Sequence, residues 1–449
     1  MSTVVTEQRH GRSAAERRAA SFSLRPFELL ARTSLALGTL AGFGLGLLLI
    51  LPVAFRLPLE LPWLPLVQVH GQVQVLGFAG LFIFAVGTVI FPRFLNAPRW
   101  DARRAQLGGL LLAAGLVLRA LAQPLEPSAI RSVALLASGL LELAGPLLFA
   151  GALIRTCRAS VQPFGAWQLA LGIGFISLML GLLLNLWAVL RLAVEGLSIV
   201  PLGLDEAIVY LEVRGFVVGV GLAVSLKVFP QFLILRPPRA GAFRYLLAGY
   251  AAGLLLTALA WLLLELEPAA RPLGATLKAA GDILTLLTLV GFVLALRLYE
   301  PAARESGRPH ITNPTRLWFR LAYGWLLGST LLHAALSLRE ALGGPAASFT
   351  ELSAARHALT MGFLVVLLVG MASRILPGYS GWALKRPRFL WWTIGLLLAG
   401  AALRVGGELA GGYGGIFGPI TGLGGTLGVA GFVLFAATLW PALGHLPDG

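Results

Sequence analysis

The sequence predicts an all-α protein that crosses a membrane twelve times, and three observations carry that reading. Hydrophobic residues make up 57% of the 449-residue chain and charged residues only 12%, about half the charged share of a soluble protein. Mean hydropathy is +0.83. Apolar runs long enough to span a bilayer core, about 20 residues each as helix, recur throughout. They fall near 27–55, 69–94, 105–123, 128–155, 165–191, 205–233, 242–266, 271–297, 316–339, 352–377, 389–409 and 414–442.

The charges between the runs give the topology. With the N-terminus inside, the inner loops carry Arg93, Arg99, Arg103, Arg104, Arg155, Arg158, Arg236, Arg239, Arg244, Arg304, Arg308, Lys385, Arg386 and Arg388. The outer loops hold few basic residues, chiefly Arg56, Arg131, Arg271 and Arg339, and more acids, among them Glu60, Glu195, Asp205, Glu206, Glu340, Glu351 and Glu408. Basic loops face the cytoplasm, so both termini are expected there, in a multi-pass protein of a bacterial inner membrane. A cytoplasmic tail is expected over 1–26 and a short one over 444–449, with the membrane domain between them. The net charge of +15 thereby belongs to topology and not to nucleic-acid binding. The Arg-rich tail has no apolar core of a cleavable signal peptide, so the first span is expected to target the chain. A single cysteine, Cys157, excludes an internal disulfide, and no C-x-x-C-H run for covalent haem occurs.

Spans two, six and ten share a pattern. "GFAGLFIFAVGTVIFP" (Gly77–Pro92), "GFVVGVGLAVSLKVFP" (Gly215–Pro230) and Gly362-Phe363 through Pro377 each place thirteen residues between a Gly-Phe pair and a proline. The interval of four spans predicts three four-helix repeats, about 27–155, 165–297 and 316–442.

Six histidines occur. His10, His310 and His445 lie in tails or a loop. His70 and His357 are expected to open spans two and ten, and His333 to lie about two turns from the outer end of span nine. All three then fall in the outer third of the membrane, where ionisable groups are costly and tend to be functional. Two neutral imidazoles from facing helices can ligate a b-type haem, and imidazole also suits copper. Haem b through His70 and His357 is the first expectation, with His333 in reserve as a ligand or as a neighbour that orients one.

"HALTMG" (His357–Gly362), Arg374 and "GYSG" (Gly378–Gly381) resemble the C-terminal signature of the NnrS family: a HALTxG run, an arginine on the same helix and a closing G-H-[ST]-G. "VHGQVQVLGF" (Val69–Phe78) is similar to that family's W-H-x-H-E-x-x-x-G-F run. The resemblance implies a membrane protein holding haem and copper, tied to the bacterial response to nitric oxide. Gln72, Val73 and Tyr379 stand where the family has a second histidine, a glutamate and the histidine of the closing turn. His70 and His357 carry over, which weakens copper more than haem. The layout also resembles, more distantly, the main subunit of haem-copper oxidases, with histidines on helices two and ten. That subunit's adjacent His-His copper ligands have no counterpart here.

Further ionisable residues fall inside spans: Arg119, Glu142, Glu212 and Arg214, with Lys278 and Asp282 spaced to pair on one helix face. Glu212 or Arg214 is expected at the haem edge, and Arg356, beside His357, is expected to pair with a haem propionate. The expected partners are the lipid bilayer and either a diatomic gas such as nitric oxide or an electron donor. Two ligands would favour electron transfer, and one would favour gas binding. A twelve-helix transporter and a metal-free membrane scaffold are the rival readings.

Overall fold

The computed structural model describes residues 25–97, 100–301, 313–380 and 388–443. His10, His310, His445, Arg99, Arg304, Arg308, Lys385, Arg386, Gly381 and the tails expected over 1–26 (up to position 24) and 444–449 lie outside the described residues, as do the side chains of Arg374 and Tyr379.

Twelve helices are long and apolar enough to cross a membrane: α1 (Pro26–Phe55), α2 (Trp63–Phe94), α3 (Ala102–Ala122), α4 (Ala129–Arg158), α5 (Ala166–Val194), α6 (Leu202–Phe232), α7 (Ala240–Leu266), α8 (Arg271–Leu296), α9 (Thr315–Ala341), α10 (Phe349–Ser373), α11 (Arg388–Gly411) and α12 (Phe417–Leu443). The chain is thus an all-helical, multi-pass membrane protein, and no strand occurs among the described residues. Large apolar side chains such as Leu40, Ile130, Val133 and Ile176 point outward, as a bilayer requires.

The helices are not equally enclosed. The apolar windows of α2, α6 and α10 are 94%, 83% and 78% buried, against 39–56% for the other nine. These three form the inner wall. Outside them, α3 with α4, α7 with α8, and α11 with α12 pack as hairpins. Small residues let the backbones touch: a Cβ at Gly145 would lie 2.4 Å from the Gly108 carbonyl, and one at Gly400 would lie 2.7 Å from the Gly428 nitrogen.

Each inner helix contains a π-helical stretch: Val73–Gly80 in α2, Tyr210–Val218 in α6 and Ala358–Val365 in α10, with a fourth at Gly38–Gly44 in α1. The first three enclose the Gly-Phe pairs of the repeated motif. Wide turns of this kind gather at functional sites.

Several helices start earlier than their apolar runs, among them the two that carry His70 and His357. α2 begins at Trp63 rather than 69, and α10 at Phe349 rather than 352. A capping box sets the second start: Ser348 Oγ accepts from the Glu351 N–H, and Glu351 accepts from the Ser348 N–H. His70 and His357 therefore do not open their helices; they lie seven and eight residues inside, and His333 lies eight from the end of α9. At about 1.5 Å per residue, all three sit at one depth.

Candidate functional site

Two adjoining cavities occupy that depth. One, of about 110 Å³, lies between α1, α2, α10, α11 and α12, and His70 and His357 both line it. The other, of about 120 Å³, lies between α2, α6, α9 and α10. It takes in His70, His357, His333, Tyr210, Glu206, Glu212, Arg214 and Arg356. Every site residue expected from the sequence thus borders at least one of two neighbouring cavities, and His70 and His357 border both. All four π-helical stretches contribute to the walls, through Phe43, Gln74, Arg214 and Thr360 among others.

Both imidazoles of the first cavity are held by Nδ1. His70 Nδ1 is 2.9 Å from the Gly42 carbonyl oxygen, and His357 Nδ1 is 2.8 Å from the Ser353 carbonyl oxygen. A carbonyl oxygen only accepts, so Nδ1 carries the hydrogen in each ring and Nε2 keeps its lone pair. This is how a protein prepares histidines as ligands. Gly46 makes room for the first ring, since a Cβ there would lie 2.6 Å from His70 Cε1.

Behind His357 stands Glu408, fully enclosed on α11. Its Oε1 accepts from Ser353 Oγ at 2.7 Å and Tyr413 OH at 3.1 Å, and pairs with Arg404 Nη2 at 3.1 Å. Its Oε2 lies 3.4 Å from His357 Nδ1. Burial, then the Glu408 charge, pushes the Tyr413 hydroxyl up to about 12, so it stays protonated and donates. Arg404 Nε and Gln74 Oε1, both of residues on the cavity wall, are buried with no hydrogen-bond partner among the described residues. The remaining wall is apolar, with Phe43, Leu47, Ile50, Met361 and Val429.

The second cavity is bordered by more ionisable side chains. Arg356 pairs with Glu206 across the α10–α6 gap, and Glu212 accepts from the Gln72 amide at 3.2 Å. Beside it, Arg119 lies 3.8 Å from Glu142, with Asn185 bonded to both. Lys278 pairs with Glu340 and not with Asp282; Asp282 instead accepts from Tyr210 OH at 2.7 Å and Ser337 Oγ at 2.6 Å. Facing helices offered better geometry than one turn of the same helix.

Sequence reasoning missed Glu408, Arg404, Ser353 and the Gly42 carbonyl. It assigned Glu408 to an outer loop, but the residue is 2% exposed inside the last turn of α11. Arg404 and Glu408 are four apart within an apolar run, and such an intramembrane pair was the signal available. Among the described residues, no group of three or more His, Cys, Asp or Glu is arranged to hold a metal ion.

A family model described as "NnrS protein" matches residues 21–445. No curated protein matches the chain. Among solved structures, a chain from a cryo-EM study of a heme-copper terminal oxidase dimer is similar with a TM-score of 0.70 and 12% identity, over 94% of this chain and 85% of the other. At that identity the match speaks for the fold alone.

Proposed function

Because the chain belongs to the NnrS family, we propose that it is a membrane haem b protein in which His70 and His357, on facing helices, would hold the haem through their imidazoles. The observation that carries this is the matched anchoring of both rings by Nδ1, which leaves two Nε2 lone pairs beside one apolar cavity. Haem would supply one-electron redox chemistry there, with passage of electrons or binding of a diatomic such as nitric oxide as its use.

The surrounding residues have assignable tasks. Gly42 and Ser353 fix the ligand tautomers. Glu408 keeps negative charge behind His357 and orients its ring. Arg404, paired with Glu408 through Nη2 but with no hydrogen bond at Nε among the described residues, joins Arg356, paired with Glu206, as a propionate partner. His333, Glu212 and Arg214 border the second cavity alone. Copper lacks comparable support, since no third ligand joins any histidine pair among the described residues.

The same reading places both termini on the cytoplasmic side of a bacterial inner membrane. Basic residues such as Arg93, Arg155, Arg158, Arg236 and Arg244 gather at one end of the helices, opposite the histidines. It also divides the membrane domain into three four-helix units. Support comes from the inner positions of α2, α6 and α10, their shared π-helical stretches and the three outer hairpins.

The test is a dithionite-reduced minus oxidised absorption spectrum of the purified protein, made with ample haem. A b-type spectrum, lost in His70→Ala and His357→Ala, is expected. A colourless protein would sink the proposal and move the transporter and scaffold readings ahead.

A further inference from the structure

The second cavity carries a charge that the haem reading does not use. Arg214 is 3% exposed, near the middle of α6. Its guanidinium donates to Thr330 Oγ1 at 3.0 Å, Ser329 Oγ at 3.2 Å and the Ser329 carbonyl at 3.5 Å. All three acceptors are neutral. The two hydroxyls are fixed, because Thr330 donates its hydrogen to the Leu326 carbonyl and Ser329 to the Ala355 carbonyl. Their lone pairs are thereby turned to Arg214 and hold the guanidinium in one orientation. The Tyr210 ring lies 5.5 Å from it. No carboxylate of the described residues is within ion-pairing distance. Of the two acids on the cavity wall, Glu206 is taken by Arg356, and Glu212 accepts from Gln72.

A buried cation held only by neutral groups is costly in a membrane interior. Guanidinium has five N–H donors in a planar fork suited to anions, and Arg214 has used only part of that capacity on α9. His333 shares the cavity and has no hydrogen bond among the described residues. Thr360 lies on the opposite wall.

We propose that this cavity binds a small monovalent anion between Arg214 and His333. Arg214 supplies the countercharge, and His333 supplies a ring N–H donor; the Thr360 hydroxyl is committed to the Arg356 carbonyl. The anion neutralises the guanidinium, and the orientation set by Ser329 and Thr330 selects a ligand of a few atoms over a large one. The site adjoins the haem cavity, with which it shares His70 and His357 on its wall, but Arg214 and His333 border the second cavity alone.

Azide is a suitable probe, because its infrared stretch distinguishes a free ion, an ion paired with guanidinium and one bound to iron. Purified protein titrated with azide should show a saturable ion-paired band that chloride displaces. Arg214→Gln should weaken binding at least tenfold, and Arg214→Lys, which keeps the charge and the packing, should retain part of it. Arg191→Gln, which removes a cation at the far end of α5, should leave the affinity unchanged. If Arg214→Gln does not fold, chloride displacement in the unmodified protein and the Arg214→Lys and His333→Gln titrations decide the matter. The absence of a saturable band, a band at the iron-bound position alone, or a band unchanged by all three site variants would overturn the proposal.

Discussion

Replacing Glu408 by Gln probes the group behind His357 without changing volume. Oε1 keeps its role as acceptor for Ser353 at 2.7 Å, Tyr413 at 3.1 Å and Arg404 at 3.1 Å. The amide nitrogen replaces Oε2, which lies 3.4 Å from His357 Nδ1. Nδ1 carries a hydrogen, so two donors then face each other and the negative charge is gone. Loss of such a supporting partner typically costs about 10–100-fold in ligand-centre affinity, or about 1.4–2.8 kcal/mol. The Ser353 carbonyl still holds Nδ1 at 2.8 Å, so the loss should fall nearer tenfold than a hundredfold. The reduction potential should rise, because a negative charge next to a ligand favours the more positively charged oxidised state. Haem titration of the purified variant and a redox titration followed by absorption measure both. Unchanged affinity together with an unchanged potential would refute the role given to Glu408.

Three further outcomes follow from the packing. Gly46→Ala should displace His70, because the new Cβ would lie 2.6 Å from Cε1; haem content should drop several-fold while circular dichroism keeps the helical signal. Gly145→Ala should lower the melting temperature in detergent by far more than Gly151→Ala, because a Cβ at 145 meets the Gly108 carbonyl at 2.4 Å and one at 151 meets nothing within 4 Å. Arg119→Met should cost about 3–5 kcal/mol by leaving Glu142 buried and unpaired, and the double variant Arg119→Met with Glu142→Gln should recover much of the melting temperature. No recovery in the double variant would show that the pair does not act as a unit.

The number and order of the spans were legible because a bilayer imposes length and hydropathy on every helix, and loop charge supplied an independent check. The shared depth of His70, His333 and His357 was legible for the same reason, since depth is set by distance along a helix of known direction. Helix starts were less so. Hydropathy sees the apolar run, while the first turns of α2 and α10 are set by Pro62 and by the S-F-T-E capping box at Ser348–Glu351. Partners across helices were the least legible. Lys278 meets Glu340, and Arg356 meets Glu206, through rotations about helix axes that no single-sequence spacing encodes. The π-helical stretches likewise leave no periodic trace, although the Gly-Phe pairs marked where three of them lie.

The central claim is that His70 and His357 are ligands and not merely supports of the fold. Exogenous imidazole tests this most directly. His70→Gly and His357→Gly variants, purified with haem supplied, should each lack the b-type spectrum of the parent protein and regain it when imidazole is added. A spectrum that is unaltered in either variant, or that is lost and not restored by imidazole in both, would contradict the assignment.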